Sequence, residues 1–316
     1  MAMMQSRGLR LLAMVVLALA VVTACAPRGP DRDAEAEGGQ PSGDVTVGSF
    51  NFSESVLLGE IYAQALQGSG LRVGRQFEVG PREILEPALE QGLIDVVPEY
   101  LGTALAFLEP ASAPSPPDAP SAHRRLSELF AARGLLALAY APAENQNGFA
   151  VTPKTAQQYG LRSMSDLGPV APNLVLGGPP ECPERPFCLL GLQTTYGLRF
   201  RNFLSLDSGG RRTRTALQEG QIDVGLLFTT DGSLARGDFV LLADDRRLQP
   251  SENVVPVVRR QLVERFGDRV VKPLEAVSVA LTTGELAGLN RRVDIDGQTP
   301  AKVAADWLAA HGITRP

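Results

Sequence analysis

Histidine is nearly absent: the 316 residues hold two, His123 and His311, beside three cysteines and one tryptophan. Neither histidine falls in a motif phrase with a serine, so the positioned base that a Ser nucleophile requires is missing. The carboxylates form no paired arrangement on recognisable catalytic turns, and an enzyme is not expected. Two thiolates far in sequence from both histidines make a poor zinc site, so no metal or other cofactor is expected either. Positive charge is also in deficit, with 30 Lys and Arg against 35 Asp and Glu. That balance argues against nucleic acid or an anionic bilayer as partner. With five Tyr and one Trp, rings unrelated to function are few.

A long apolar membrane span is missing as well. "MAMMQSRGLRLLAMVVLALAVVTA" carries Arg7 and Arg10 and then an uncharged run from Leu11 that is too short for a comfortable span. It reads as a secretory signal over residues 1–24. "VTAC" then resembles a bacterial lipobox, which makes Cys25 the expected lipidated N-terminus and a lipid anchor an expected partner. An ordinary signal peptide cleaved nearby is the alternative. Removing the leader's two Arg leaves 28 basic residues against 35 acidic ones, net −7, over 292 residues. Residues 25–44 are small, polar and rich in Gly and Pro, as expected of a flexible tether.

The two remaining cysteines, Cys182 and Cys188, lie six apart in "CPERPFC". In an exported protein they most simply form a disulfide. So small a loop adds about 2 kcal/mol at most, and it shapes the segment more than it holds the fold.

From Val45 onward the chain has a strand and helix rhythm. "VTVGSF", "LRVGRQFEV" and "LIDVVPEY" read as strands. Between them lie a helix in "NFSESVLLGEIYAQALQGSG", with Ser53 expected as N-cap, and one in "PREILEPALEQG", where Pro87 is expected to interrupt or restart it. "EPASAPSPPDAPSAHRR" reads as a Pro-rich surface loop before a helix over 126–133. The second half repeats the grammar with "NLVLGG", "CLLGLQTTYGL", "RTALQEG" and "QIDVGLLF". "ALEQGLIDV" at Ala88 returns 128 residues later as "ALQEGQIDV" at Ala216, and Gly48 and Gly177 are 129 apart. These read as equivalent helix-to-strand junctions of two α/β lobes, with a chance match of helix-stop-strand grammar as the alternative. Ile94, Val96, Ile222 and Val224 are expected behind the cleft, with Asp95 and Asp223 satisfying backbone groups. The lobes are expected over 45–144 with 254–316, and over 145–253. The closing helices, with Val303, Trp307 and Leu308, are expected to pack on a lobe, and the cleft between lobes is the expected ligand site.

"VGSFNFSESVLLGEIYAQAL", "EPALEQGLIDVVPEYLGTAL", "YGL", "ALQEGQIDV" and "LLADDRRLQP", in that order, resemble the substrate-binding proteins of ABC transporters for glycine betaine, choline and related osmoprotectants. The resemblance implies a two-lobed, hinge-closing periplasmic-binding-protein fold outside the cytoplasm, an ABC permease as partner, and a small cationic ligand of the betaine, choline or carnitine class. A monomer is expected. The alternative is a binding or sensing receptor for a different polar molecule, without transport. The family holds a quaternary ammonium in a box of aromatic rings, because such a cation donates no hydrogen bond but is attracted to π faces.

Tyr100 and Thr103 match a cage Tyr and a ligand-contacting Thr of that family; a half-buried strand-end Tyr and a turn or cap Thr are the alternatives. Arg185 stands at the place of its carboxylate-binding Arg; pairing with Glu181 or Glu184 is the alternative. Phe50 replaces a polar contact, and Phe228 holds a cage position without the hydroxyl; both could be core. Asn147 falls where a cage Tyr is common, and Asn145 and Asn147 could be turn residues. Glu252 or Asn253 replaces the last Tyr. The implied cage is partial. Asp244 and Asp245 read as a solvated turn.

Overall fold

A computed structural model describes residues 44–109 and 118–314. The signal segment, Cys25, the tether up to residue 43 and residues 110–117 of the Pro-rich loop lie outside the described residues. The first half runs β1 (Val45–Phe50), α1 (Ser53–Gly68), β2 (Val73–Gly80), α2 (Arg82–Glu90), β3 (Val96–Tyr100), α3 (Leu101–Leu108), α4 (Ala119–Ala131) and β4 (Leu135–Ala137). The second half runs β5 (Asn147–Val151), α5 (Pro153–Tyr159), β6 (Val175–Gly178), α6 (Leu189–Tyr196), β7 (Asn202–Ser205), α7 (Arg211–Gln218), β8 (Val224–Phe228) and β9 (Val240–Leu242). The chain then returns through β10 (Val254–Arg259) into α8 (Arg260–Phe266), α9 (Asp268–Ala280), α10 (Thr283–Asp294) and α11 (Pro300–Ala310).

Two five-stranded sheets result, ordered β2-β1-β3-β10-β4 and β7-β6-β8-β5-β9. In each, three strands are parallel and the fourth, β10 or β5, enters antiparallel. One apolar core surrounds the first sheet and takes in Leu57, Ile61, Val303, Trp307 and Leu308. The second sheet has its own apolar clusters, around Phe149 and Leu192 and around Ala216 and Ile222.

The repeated phrase has the same physics twice. Helices α2 and α7 both stop at a left-handed glycine, Gly92 at φ 78° and Gly220 at φ 70°. Leu93 N–H then donates to Ala88 O at 2.9 Å, as Gln221 N–H does to Ala216 O. Both are Schellman closures, which use orphan carbonyls at a helix end. Next, Asp95 Oδ2 accepts from Thr46 N–H and Asp223 Oδ2 from Val175 N–H, each at 2.8 Å. Ile94 and Ile222 cover the glycines of the neighbouring strands: a Cβ on Gly48 would meet Ile94 at 2.7 Å, and one on Gly177 would meet Ile222 at 2.5 Å.

Three local expectations are corrected. Ser53 is not the cap of α1; Phe52 holds that position, and the Ser53 hydroxyl instead donates to Asp294 Oδ1 at 2.6 Å. Pro87 does not break α2, which continues through it; a nine-residue helix loses one bond and keeps a buried face through Leu85 and Leu89. Helix α4 starts at Ala119, upstream of 126, because Asp118 caps it through Ser121 N–H at 2.8 Å and Pro120 sits in the tolerant first turn.

Candidate functional site

The strand ends of the two sheets meet around one cavity. Phe50, Phe52, Arg82, Tyr100 and Thr103 line it from the first sheet and its helices. Asn147, Phe228, Leu226 and the 185–188 loop line it from the second, while Asn145 and Glu252 come from the two crossovers. Eight of the nine residues expected at the ligand are therefore together. Asn253 is not: its Nδ2 donates to Ala141 O at 3.0 Å, behind the wall. Adjacent residues on extended backbone face opposite ways, so only Glu252 of that pair reaches the cavity.

Phe52 is the centre of the aromatic cluster and is absent from the set expected from the sequence. Its ring lies 5.1 Å from Phe228, 6.0 Å from Tyr100 and 5.9 Å from Phe50, the last stacked at 9°. The residue is extended (φ −141°, ψ 154°), like Phe50 two positions earlier. A period of two places both rings on one side, a signal that the helical reading of "NFSES" hides. Phe50 is already occupied within the protein, since the Arg82 guanidinium lies over its ring at 5.0 Å.

Arg82 also lines the cavity without being in the expected set, as do Phe107 and Phe187. It forks onto Glu99 at 2.7 and 2.8 Å, and its Nη2 also donates to Thr103 Oγ1 at 3.1 Å. Burial alone would lower its pKa, but Glu99 beside it more than offsets this, and the guanidinium stays charged. The Tyr100 hydroxyl turns away from the cavity and donates to Glu54 Oε1 at 2.7 Å. Glu54 also accepts from Asn145 Nδ2 at 2.7 Å and from Thr230 Oγ1 and Asn290 Nδ2 at 2.6 Å each. Burial pushes the Glu54 pKa up against these four bonds, and burial with Glu54 nearby holds Tyr100 well above the ordinary phenol range. Tyr100 offers the cavity a neutral ring. Glu252 is the cavity's own buried acid, and burial pushes its carboxyl up to about 8.

The Cys182 and Cys188 sulfurs lie 2.01 Å apart. Between them, Phe187 O accepts from Asn147 Nδ2 at 3.2 Å and Gln249 Nε2 at 3.1 Å. Helix α6 packs against this loop so closely that a Cβ on Gly191 would lie 1.9 Å from Pro186 O. Arg185 pairs with neither Glu181 nor Glu184; it reaches across to Glu83 of α2, at 2.7 and 2.8 Å. Asp244 is more than a solvated turn residue, for it accepts from the Leu248 and Gln249 N–H groups and the Tyr196 hydroxyl. Among the described residues, no group of three or more His, Cys, Asp or Glu could hold a metal ion, and no helix is long and apolar enough to cross a membrane.

Residues 43–310 match the family described as the substrate binding domain of the ABC-type glycine betaine transport system. The chain belongs to that family. It is 32% identical over 278 residues to a glycine-betaine-binding protein of Pseudomonas aeruginosa, covering 84% of this chain and 88% of that one. It is 26% identical over 285 residues to the glycine betaine-binding protein YehZ of Escherichia coli, covering 87% and 93%. In fold it is similar to a crystal structure of a glycine betaine/carnitine/choline ABC transporter, with TM-score 0.67 and 24% identity over 85% of this chain and 99% of that one. This substrate-binding protein of the betaine family thus has the two-lobed α/β architecture, with its cavity at the strand ends between lobes.

Proposed function

We propose that the protein captures a small cationic ligand of the glycine betaine, choline or carnitine class outside the cytoplasm and delivers it to an ABC permease. The observation that carries this is the cluster of Phe52, Tyr100 and Phe228 on one cavity between the two lobes. Such rings attract a cation that cannot hydrogen-bond, at roughly 0.5–2 kcal/mol each. Phe52 supplies a ring to the cage that the sequence left partial. Arg185 is the candidate for a ligand carboxylate; among the described residues, only its Nη2 is engaged, by Glu83. Asn145, Thr103 and Phe50 shape the wall, and their polar groups or faces are engaged by the protein itself. The lobes are taken as 45–144 with 254–316 and 145–253, and one chain holds a complete site, which suits a monomer. No catalytic step is assigned: the matched family and relatives are substrate-binding proteins.

Calorimetry with glycine betaine, choline and carnitine tests the reading. At least one should bind, and Phe52→Ala should weaken it about tenfold, since 1.4 kcal/mol is a decade. Failure of the folded protein to bind all three overturns the reading. The anchor on Cys25 and the Cys182–Cys188 disulfide belong to the same proposal. Mass spectrometry of the exported protein should give an acylated N-terminal Cys25 peptide and one linked cysteine peptide. An unmodified N-terminus or two alkylatable thiols would refute the corresponding half.

A further inference from the structure

Glu252 sits on the return crossover and is held there by its backbone. Its N–H donates to Glu144 Oε1, and its carbonyl accepts from Asn145 N–H, both at 3.0 Å. The side chain lines the cavity yet is only 2% exposed. Oε2 accepts from the Thr103 hydroxyl over a long 3.3 Å, the Thr103 backbone N–H also bears on the carboxyl, and Oε1 has no hydrogen-bond partner among the described residues.

The charged groups that act on it are Arg82 from α2 and Glu99 from β3. The Arg82 fork is already spent on Glu99 and Thr103. Glu252 therefore receives the field of the guanidinium but no hydrogen bond from it. An acceptor buried without a donor is costly, and more so when charged. Protonation resolves this, in keeping with a carboxyl raised to about 8. A fully methylated ammonium brings charge but no donor. A ligand N–H brings both.

We infer that Glu252 makes this cavity select a cation that carries at least one N–H, such as a protonated tertiary or secondary amine, over a fully alkylated ammonium. The inference rests on the betaine-class reading of the same site. On binding, the carboxylic acid of Glu252 gives up its proton to solvent, and the ligand N–H donates to the resulting carboxylate.

The matched probes are N,N-dimethylglycine, which has one N–H when protonated, and glycine betaine, which has none. Losing a methyl group alone weakens binding about fourfold, so a preference in the opposite direction reads the N–H. Calorimetry at pH 7 in two buffers of different ionisation heat gives affinity and protons released. Wild type should bind dimethylglycine at least about tenfold tighter, with release of close to one proton. Glu252→Gln should remove the dimethylglycine preference, leaving glycine betaine equal or up to about fourfold tighter, and abolish the release. Equal affinities in wild type, or a preference that survives in Glu252→Gln, overturns the inference and leaves the betaine-class reading standing. Binding of neither probe by folded wild type overturns the inference, and the betaine-class reading falls with it when choline and carnitine also fail to bind. If the variant does not fold, the wild-type ratio and proton count decide alone.

Discussion

The hydroxyl of Tyr100 donates to Glu54 while its ring lines the cavity, so removing the oxygen and removing the ring are different experiments. Tyr100→Phe keeps the π face but takes one of four donors from a buried carboxylate. Leaving a buried polar group short of a partner costs about 1–3 kcal/mol. In a domain of this size that lowers Tm by roughly 2–10 °C. The expected outcome is a melting point reduced by several degrees with ligand affinity within about threefold of wild type. Tyr100→Ala should instead lose about tenfold or more in affinity. A Tyr100→Phe variant that melts normally but no longer binds would show the hydroxyl working on the ligand. At this scale Tyr100 and Phe228 were legible, because family phrases place them at strand ends. Phe52 and Arg82 were not. The first looked like the lead into a helix, and the second acts through Glu99, Thr103 and the Phe50 ring, all well separated from it in sequence. The choice between Glu252 and Asn253 needed the crossover's backbone, since one residue of slip exchanges the two faces.

Among the elements, α2 carries an acid that its position makes expensive. Glu86 is buried, neither oxygen has a partner among the described residues, and burial followed by repulsion from Glu99 pushes its carboxyl up to about 8. Its folded pKa thus lies above the ordinary 4.5. The folded state holds the extra proton between those values, so Glu86 is harmless below about pH 4.5 and destabilises progressively as pH rises to 8. Every tenfold difference in proton affinity between the folded and unfolded states is worth ~1.4 kcal/mol. Glu86→Gln keeps the shape and removes the titration. Its Tm relative to wild type should rise by at least ~3 °C between pH 5 and pH 8.5. Parallel curves for the two proteins would mean that Glu86 titrates normally. Strands and most helices were legible because β-branched runs end at glycine and apolar residues recur at helical spacing. Helix starts were less so. Ser53 has the chemistry of a cap, but Asp294, 241 residues away, competes for its hydroxyl.

For the whole molecule, the repeated phrase revealed two lobes because each copy encodes a local device: a glycine stop, an aspartate tie and an isoleucine lid. The insertion of β10 beside β3 was beyond that reading, as was β5 beside β8. Both pairings depend on contacts that no short segment contains. They also determine how the lobes are joined. The chain passes between sheets twice, once into β5 and once into β10, and the passages lie side by side. Asn145 N–H meets Glu252 O, Val254 N–H meets Ala143 O, and Glu144 bridges Asn253. Two short straps fastened edge to edge behave as a flexure: they bend about one line, and they resist sliding and unscrewing. Any swing of one lobe against the other must use that line. The Arg185–Glu83 pair and the Phe228 ring beside Phe52 lie across that line, so a closure about it would register both contacts together.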